Sequence, residues 1–368
     1  MNKVKFLHTS LQEVPEFIFN LKNEQNFTFL PSTSGVEQYG KALKLGFSTY
    51  GLKLFYMLGI WDSLNKNQQT EWIEFINSFQ IKENRFQENA FIDPKYEEYY
   101  INNSLNEKFK DVSKKFLNLL PNYNFDTFEL KLSKGINAET KQAISTLFEV
   151  GSLNKAKLSN KFFSDQELLY YLKSLNWSTP WTSGAQFSSL CVYSRTQKFG
   201  QEETLKNFIK KLVNTETGSY FISKPQSSRE IINGAMKVIS GLNWIEEEIH
   251  SPKKLIDFCL NNTPVHEGCD VVDYIYVLTQ CSMNLNYKKN EVVESLLSCI
   301  EILANLYKND EKGFSYFQNK SQTHYYGVKI TQGNNVADIH GTLLCIWASL
   351  MILDLLGEKD ENYNLIKP

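Results

Sequence analysis

The sequence predicts an all-α protein, an (α/α)6 toroid in which a ring of inner helices is wrapped by a ring of outer ones. Three observations predict it. Nearly every long segment repeats apolar residues at i, i+3, i+4 and i+7, and no run alternates convincingly with a period of two. Two kinds of helix alternate along the chain, one amphipathic and bearing Lys and Glu, the other apolar nearly all round. Three loops that follow helices of the first kind share one pattern, a turn-forming residue and then an aromatic. A helix with one wet face belongs at the surface, whereas one that is apolar on all sides has to be interior. Alternating them about six times over 368 residues gives hairpins of about 61 residues, a spacing that suits a structural repeat without a strict sequence repeat.

The chain opens on charged residues, Met1 to Phe6, and turns polar at once, so the apolar core of a signal peptide is missing. Residues 34–43 are expected to form the first inner helix and 70–80 an outer one. Inner helices follow at 139–144, 180–187, 230–236, 268–274 and 337–343, each opening on small or polar residues. Outer helices at 165–175, 202–213, 252–260 and 291–307 alternate with them. The repeated loops are Asn89-Ala-Phe-Ile-Asp-Pro94, Thr217-Gly-Ser-Tyr-Phe221 and Lys312-Gly-Phe-Ser-Tyr-Phe317. With 9 Pro and 18 Gly and no Gly/Ser- or Pro-rich linker, residues 1–368 are read as one toroid domain.

Composition narrows the function. The formal net charge is −2 and the basic residues are scattered, which argues against a nucleic-acid partner. Six cysteines form no CxxC and lie in helical apolar patterns, so they are read as small buried hydrophobes. The longest apolar run, residues 343–353, is too short to span a bilayer, so a soluble, cytoplasmic protein without a transmembrane segment is expected; peripheral contact with a membrane stays open. Against this ordinary background 25 Phe, 19 Tyr and 6 Trp make an aromatic surplus.

With the hairpin alternation, the three loops and Gln80 ahead of Phe86 and Phe91, the chain resembles the terpenoid cyclase and protein prenyltransferase superfamily over most of its length, best from 138 to 356. Within that superfamily it looks like a diverged, single-domain class II terpene cyclase. Such enzymes start a carbocation cascade with an Asp of a DxDD-T-A element opening an inner helix. Here Asp338-Ile-His340-Gly-Thr342 and Asp270-Val-Val-Asp273 stand in such positions, but His340 and Val272 replace the protonating Asp. The zinc prenyltransferases of the same fold imply another set, Cys269, Asp270 and His340, although the family's Asp-x-Cys spacing is absent.

The residues themselves leave alternatives. Asp338 is a candidate acid if burial keeps it protonated, and otherwise an N-cap. His340, about 200° further round the helix, is a second candidate or a core histidine bonded to a carbonyl. Asp270 and Asp273 share one helix face, where they could share a proton, hold a metal or orient a hydroxyl, or else cap the helix and face solvent; His266 and Glu267 precede them. Trp181, Gln186, Asn233 and Gln38 are substrate-binding candidates on inner helices, with Glu37 beside the last. Tyr325, Tyr326 and Lys329 lie in a stretch too long for a tight hairpin, expected to serve as a binding loop at the mouth of the ring. The expected function is protonation-initiated cyclisation of a linear isoprenoid or prenylated substrate, with no required cofactor and with Mg²⁺ or Zn²⁺ left open. The alternatives are a carbohydrate-active hydrolase or lyase with paired carboxylates and a zinc-dependent prenyltransferase-like protein.

Overall fold

The computed structural model describes residues 3–23, 27–82, 86–102, 111, 127–223, 225, 227–264 and 268–368. Among them are fifteen helices and six two-residue strands. Six helices form the inner ring: α3 (Leu45–Met57), α7 (Phe128–Glu149), α9 (Pro180–Gln197), α11 (Ser228–Trp244), α13 (Gly268–Ser282) and α15 (Ile339–Leu356). Each packs on the next, and α15 packs back on α3, which closes the ring. The chain is therefore an all-α toroid.

Outside it run α1 (Lys3–Leu21), α5 (Lys66–Asn77), α8 (Asp165–Ser174), α10 (Glu202–Lys210), α12 (Pro252–Leu260) and α14 (Lys289–Leu306), one before each inner helix. Local chemistry sets their starts. Asn65 and Gln68 close a reciprocal capping box on α5, Ser164 caps α8, and α12 opens on Pro252, which has no N–H to leave unpaired. The inner helices are held together by burial; α15 keeps Ile346, Leu350, Ile352 and Leu353 fully out of water. The tightest neighbours are α9 and α11, because Gly234 lets Pro180 approach to where a Cβ would lie 2.6 Å from its ring.

The loop pattern is one device reused. After α1, α5, α10 and α14 the chain pairs briefly with itself: Lys22 with Phe29, Gln80 with Phe91, Val213 with Tyr220, Tyr307 with Phe314. Each return delivers a buried aromatic to the wall between the rings. In the last three, the residue two before the aromatic takes a positive φ: Asn89 at 62°, Gly218 at 78° and Lys312 at 58°. Thr140 on α7 grips both backbone polar atoms of Phe91, and Thr342 on α15 does the same for Phe314, with distances of 3.0–3.2 Å. A hydroxyl that accepts one bond and donates the other suits a segment with no strand partner beyond it.

Two expectations change. Residues 34–43 do not form an inner helix; α2 (Gln38–Ala42) is a short turn on the rim, and the inner helix is the next one, α3. The segment carries Glu37, Gln38 and Lys41 and cannot be buried all round, whereas Asp93 accepts the Lys44 and Leu45 N–H groups at 2.6 and 3.0 Å and starts α3 there. The run at 343–353 proves to be part of an 18-residue helix, the one described helix long and apolar enough to cross a membrane; in the ring it is an inner helix and mostly buried.

At the C-terminal ends of the inner helices, residues 362–368 lie across the ring. Asn364 N–H donates to the Met57 carbonyl of α3 at 3.0 Å, Lys367 N–H to Glu149 of α7 at 2.5 Å, and the Trp244 indole of α11 to the Pro368 carbonyl at 3.1 Å.

Candidate active site

The opposite end of the lumen, where the inner helices start, gathers the chemistry. Its most unusual group is Glu139. The sequence places it at the start of an inner helix, but α7 begins at Phe128, so Glu139 sits about three turns in and is 1% exposed. Its Oε2 accepts the Asp93 N–H at 3.4 Å, and Oε1 is buried with no hydrogen-bond partner. Burial, reinforced by the Asp93 carboxylate, pushes its carboxyl well above the usual range. Tyr325 Oη leans on the same carboxyl closely enough to favour its anion slightly, but outside full hydrogen-bond geometry, so that hydroxyl too is buried without a partner.

Tyrosines surround this acid. Tyr325 belongs to a hairpin of strands β5 (His324–Tyr325) and β6 (Val328–Lys329), which follow β1 (Gln80–Ile81), β2 (Ala90–Phe91), β3 (Tyr307–Lys308) and β4 (Gly313–Phe314). The turn between β5 and β6 is Tyr326-Gly327, with φ of 42° and 88°. This corrects the expectation of a long open loop: two consecutive left-handed residues close a tight two-residue hairpin. The Tyr96 and Tyr100 hydroxyls, on α6 (Pro94–Asn102), hold it by the Tyr326 carbonyl at 3.1 and 2.8 Å. The Tyr325 ring meets Tyr50 of α3 at 6.1 Å, Tyr326 at 4.6 Å and Phe47 at 5.5 Å. Gly46 makes room, since a Cβ there would fall 2.2 Å from Tyr325 Oη.

Tyr50 links the acid to His340. The two rings stack at 4.9 Å and 10°, and Tyr316 stacks on the imidazole at 5.0 Å, making a sandwich. Burial and Lys237 push His340 down to about 3, and its Nδ1 is buried without a hydrogen-bond partner. In an NMR titration the His340 ring proton is expected to hold its shift from about pH 8 down to about pH 4; a midpoint near the ordinary value of about 6.5 would show a solvated ring instead.

Tyr316 Oη contacts Cys269 Sγ at 3.0 Å, and burial pushes that thiol up to about 11. Next along α13, burial pushes Asp273 up to about 6; its Oδ1 lies 4.0 Å from Lys237 Nζ and its Oδ2 has no partner. Asp270 is buried too, bound by Arg229 Nε at 2.8 Å and Asn233 Nδ2 at 2.9 Å. The Arg229 guanidinium lies over the Trp181 ring at 5.3 Å. The cation that Trp181 serves is thus one of the chain's own, and Asn233 finds its partner in Asp270. Neither Asp270 nor Asp273 faces solvent. His266 and Glu267 lie outside the described residues.

Asp338 has a different surrounding from that of a free acid. Its Oδ1 accepts Gly341 N–H at 2.7 Å and caps α15, while Oδ2 accepts Tyr316 and Gln322 N–H at 2.7 and 3.0 Å. Burial carries it up to about 6 against these donors. Three of the expected site residues stand apart. Gln38 is exposed on the rim, because its helix is not inner. Lys329 is exposed and paired with Glu37 at 2.8 Å, so its charge is already answered. Gln186 faces away from the cluster, accepting from Asn137 at 3.2 Å beside a cavity of about 740 Å³ between α7, α8 and α9. Cys269 is engaged by Tyr316 and Asp270 by Arg229 and Asn233, and no three His, Cys, Asp or Glu among the described residues converge as a metal site.

No family model matches the sequence, and no curated protein matches it either. Two solved structures share the arrangement loosely, both of the type II terpene cyclase MstE from Scytonema. One variant is bound to its product merosterolic acid A: 11% identity, 96% of this chain and 99% of that one covered, TM-score 0.41. The other is bound to its substrate geranylgeranyl dihydroxybenzoate: 10% identity, 97% and 99% covered, TM-score 0.39. At such scores the likeness carries nothing about chemistry, which has to come from this chain's own side chains.

Proposed function

We propose that the protein catalyses protonation-initiated cyclisation of a linear isoprenoid or prenylated substrate, with Glu139 and not Asp338 as the acid. The observation that carries this reading is a buried carboxyl group, pushed by burial towards its neutral form, with an unpartnered oxygen among tyrosines. Alkenes are poor bases, and an acid that is to protonate one has to be held dry and unpaired until the alkene arrives. Oε2 is occupied as an acceptor, so the proton resides on Oε1. After its transfer to an alkene carbon, the π faces of Tyr50, Tyr325, Tyr326 and Tyr316 favour the cation by about 0.5 to 2 kcal/mol each. Ring closure moves the charge along the chain of double bonds. Neutral His340, between Tyr50 and Tyr316, takes the final C–H proton; its imidazolium, made strongly acidic by burial, sheds that proton to solvent and Glu139 takes one up again, so the net change is an isomerisation.

The test is incubation of the purified protein with linear isoprenoids, both diphosphates and prenylated aromatics, with and without EDTA. A product of unchanged mass and altered retention, formed in either condition, is expected. Absence of any isomer across the panel would sink the reading, and a product lost only with EDTA would move the chemistry to a metal.

A further inference from the structure

Between α7, α8 and α9 lies the cavity of about 740 Å³ that Gln186 borders. Glu139, Tyr50, Tyr325, His340 and Asp273 are all absent from its lining, so it is separate from the candidate active site. Asn137, which does line it, and Glu139 stand two residues and about 200° apart on α7, so one helix turns different faces to the two sites. The link from α7 to α8 is tied down where it reaches the cavity. Leu158 N–H donates to Gln197 Oε1 at 3.0 Å and Ser159 N–H to the Glu88 carbonyl at 3.1 Å. The Lys157 and Ser159 carbonyls accept from Asn89 Nδ2 at 2.9 Å and from Gln87 Nε2 at 2.6 Å. These bonds leave the next residues, Asn160, Lys161 and Phe162, little freedom in how they border the cavity, and a site formed in advance loses less entropy on filling. The lining is rich in unanswered donors. Tyr193 Oη reaches Asn137 Oδ1 at 3.0 Å, Asn137 Nδ2 donates to Gln186 Oε1 at 3.2 Å, and Tyr171 Oη donates to that same oxygen at 3.4 Å. With its oxygen taken twice, Gln186 keeps an NH₂ group that has no partner among the described residues. Asn160 gives its oxygen to the Phe162 N–H at 3.1 Å and keeps its NH₂ in the same way. Lys131 and Lys161 are exposed, and neither has an ion pair or hydrogen bond to a described residue. Lys134 lines the cavity too, and among the described residues no Asp or Glu does. The Phe162 and Tyr171 rings lie within it, 5.1 Å apart and tilted by 40°.

We propose that this cavity binds a planar aromatic anion, a flat ring carrying a carboxylate or a phosphate. The ring lies against Phe162 and Tyr171, where aromatic faces and edges attract it. Its polar edge accepts hydrogen bonds from the Gln186 and Asn160 amides, and its anionic group meets Lys131 and Lys161, where hydrogen bonds are charge-assisted. A lining with positive charges and no carboxylate repels a cation and leaves nothing to compete with an anion for those donors. The volume suits a guest of this class, since cavities of about 300 to 1,000 Å³ hold small organic ligands. The inference goes beyond the proposed reaction and does not rest on it, because none of these residues takes part in it.

The test is calorimetric titration of the full chain with two probes, AMP and indole-3-acetate, each set beside its uncharged ring alone, adenosine and indole. At least one probe is expected to bind with a Kd below about 1 mM, and at least about tenfold more tightly than its uncharged counterpart. Lys161→Met is expected to weaken that binding by at least about tenfold. Gln186→Glu keeps the shape and an oxygen for Asn137 and Tyr171, but it replaces the free NH₂ with negative charge, and it is expected to weaken binding at least as much. Lys66→Met, on the exposed start of α5, serves as the unaffected control. Binding of AMP alone identifies the guest as a nucleotide, binding of indole-3-acetate alone as an aryl carboxylate, and binding of both puts the selectivity in the pairing of ring and anion. No binding of either probe, an uncharged ring that binds as well as its anion, or binding indifferent to both Lys161→Met and Gln186→Glu overturns the proposal.

Discussion

Glu139→Gln is expected to lower turnover by about 10²- to 10⁴-fold while the protein stays folded. Glutamine keeps the shape and keeps an oxygen for the Asp93 N–H, but it has no acidic proton to give. Stability should move the other way. The folded-state carboxyl titrates above its unfolded value of 4.5, so the fold disfavours the anion; that penalty is absent below about pH 4.5 and grows as pH rises towards the raised folded value. The variant should therefore melt like the parent near pH 4 and above it at neutral pH. A variant with parental turnover ends the assignment. A variant that is inactive but also less stable at neutral pH would mean that Glu139 is ionised and structural. In the parent, the same titration predicts activity that persists above the ordinary carboxylate range and falls as pH rises through the raised folded value.

Asp338→Ala is expected to cost about 3 to 5 kcal/mol in urea unfolding, without a selective effect on chemistry in whatever protein stays folded. One carboxylate answers the first turn of α15 and two N–H groups of the segment that runs from Tyr316 to Gln322. Deleting it removes the cap, worth about 1 kcal/mol, and strands two part-buried donors at about 1 to 2 kcal/mol each, the lower part of the range for an unpaired group. Asp338→Asn should cost less, since one oxygen survives, but the new NH₂ points at N–H donors. Parental stability with lost turnover in the asparagine variant would exchange the roles of Asp338 and Glu139.

Much of the ring could be read from the chain because its causes are local. Residues such as Ile346 and Ile352 repeat on every side of one helix, and the left-handed turn before Phe91, Tyr220 and Phe314 recurs in each loop. The cluster of Asp270, Asp273, Asn233 and His340 was legible for a related reason: polar residues opening apolar helices end up at the same end of the toroid. What stayed hidden depended on partners far away in sequence. Glu139 looks like one more polar residue near a helix start, and only the packing of Asp93 and of the 324–329 hairpin makes it dry. Gln38 misled because its segment ends in Leu43 ahead of the true inner helix, and the signal separating the two is a cap supplied by Asp93, 49 residues from Lys44. A hint for Glu139 was present: Glu139-Thr140 stands where Gly341-Thr342 stands, each Thr gripping its loop aromatic.

The strap of residues 362–368 ties together the C-terminal ends of three inner helices, two of which, α3 and α11, stand on opposite sides of the ring. Helices that share no packed face are thereby fastened by backbone and terminal groups, so the ring resists splaying at this end whatever happens at the other.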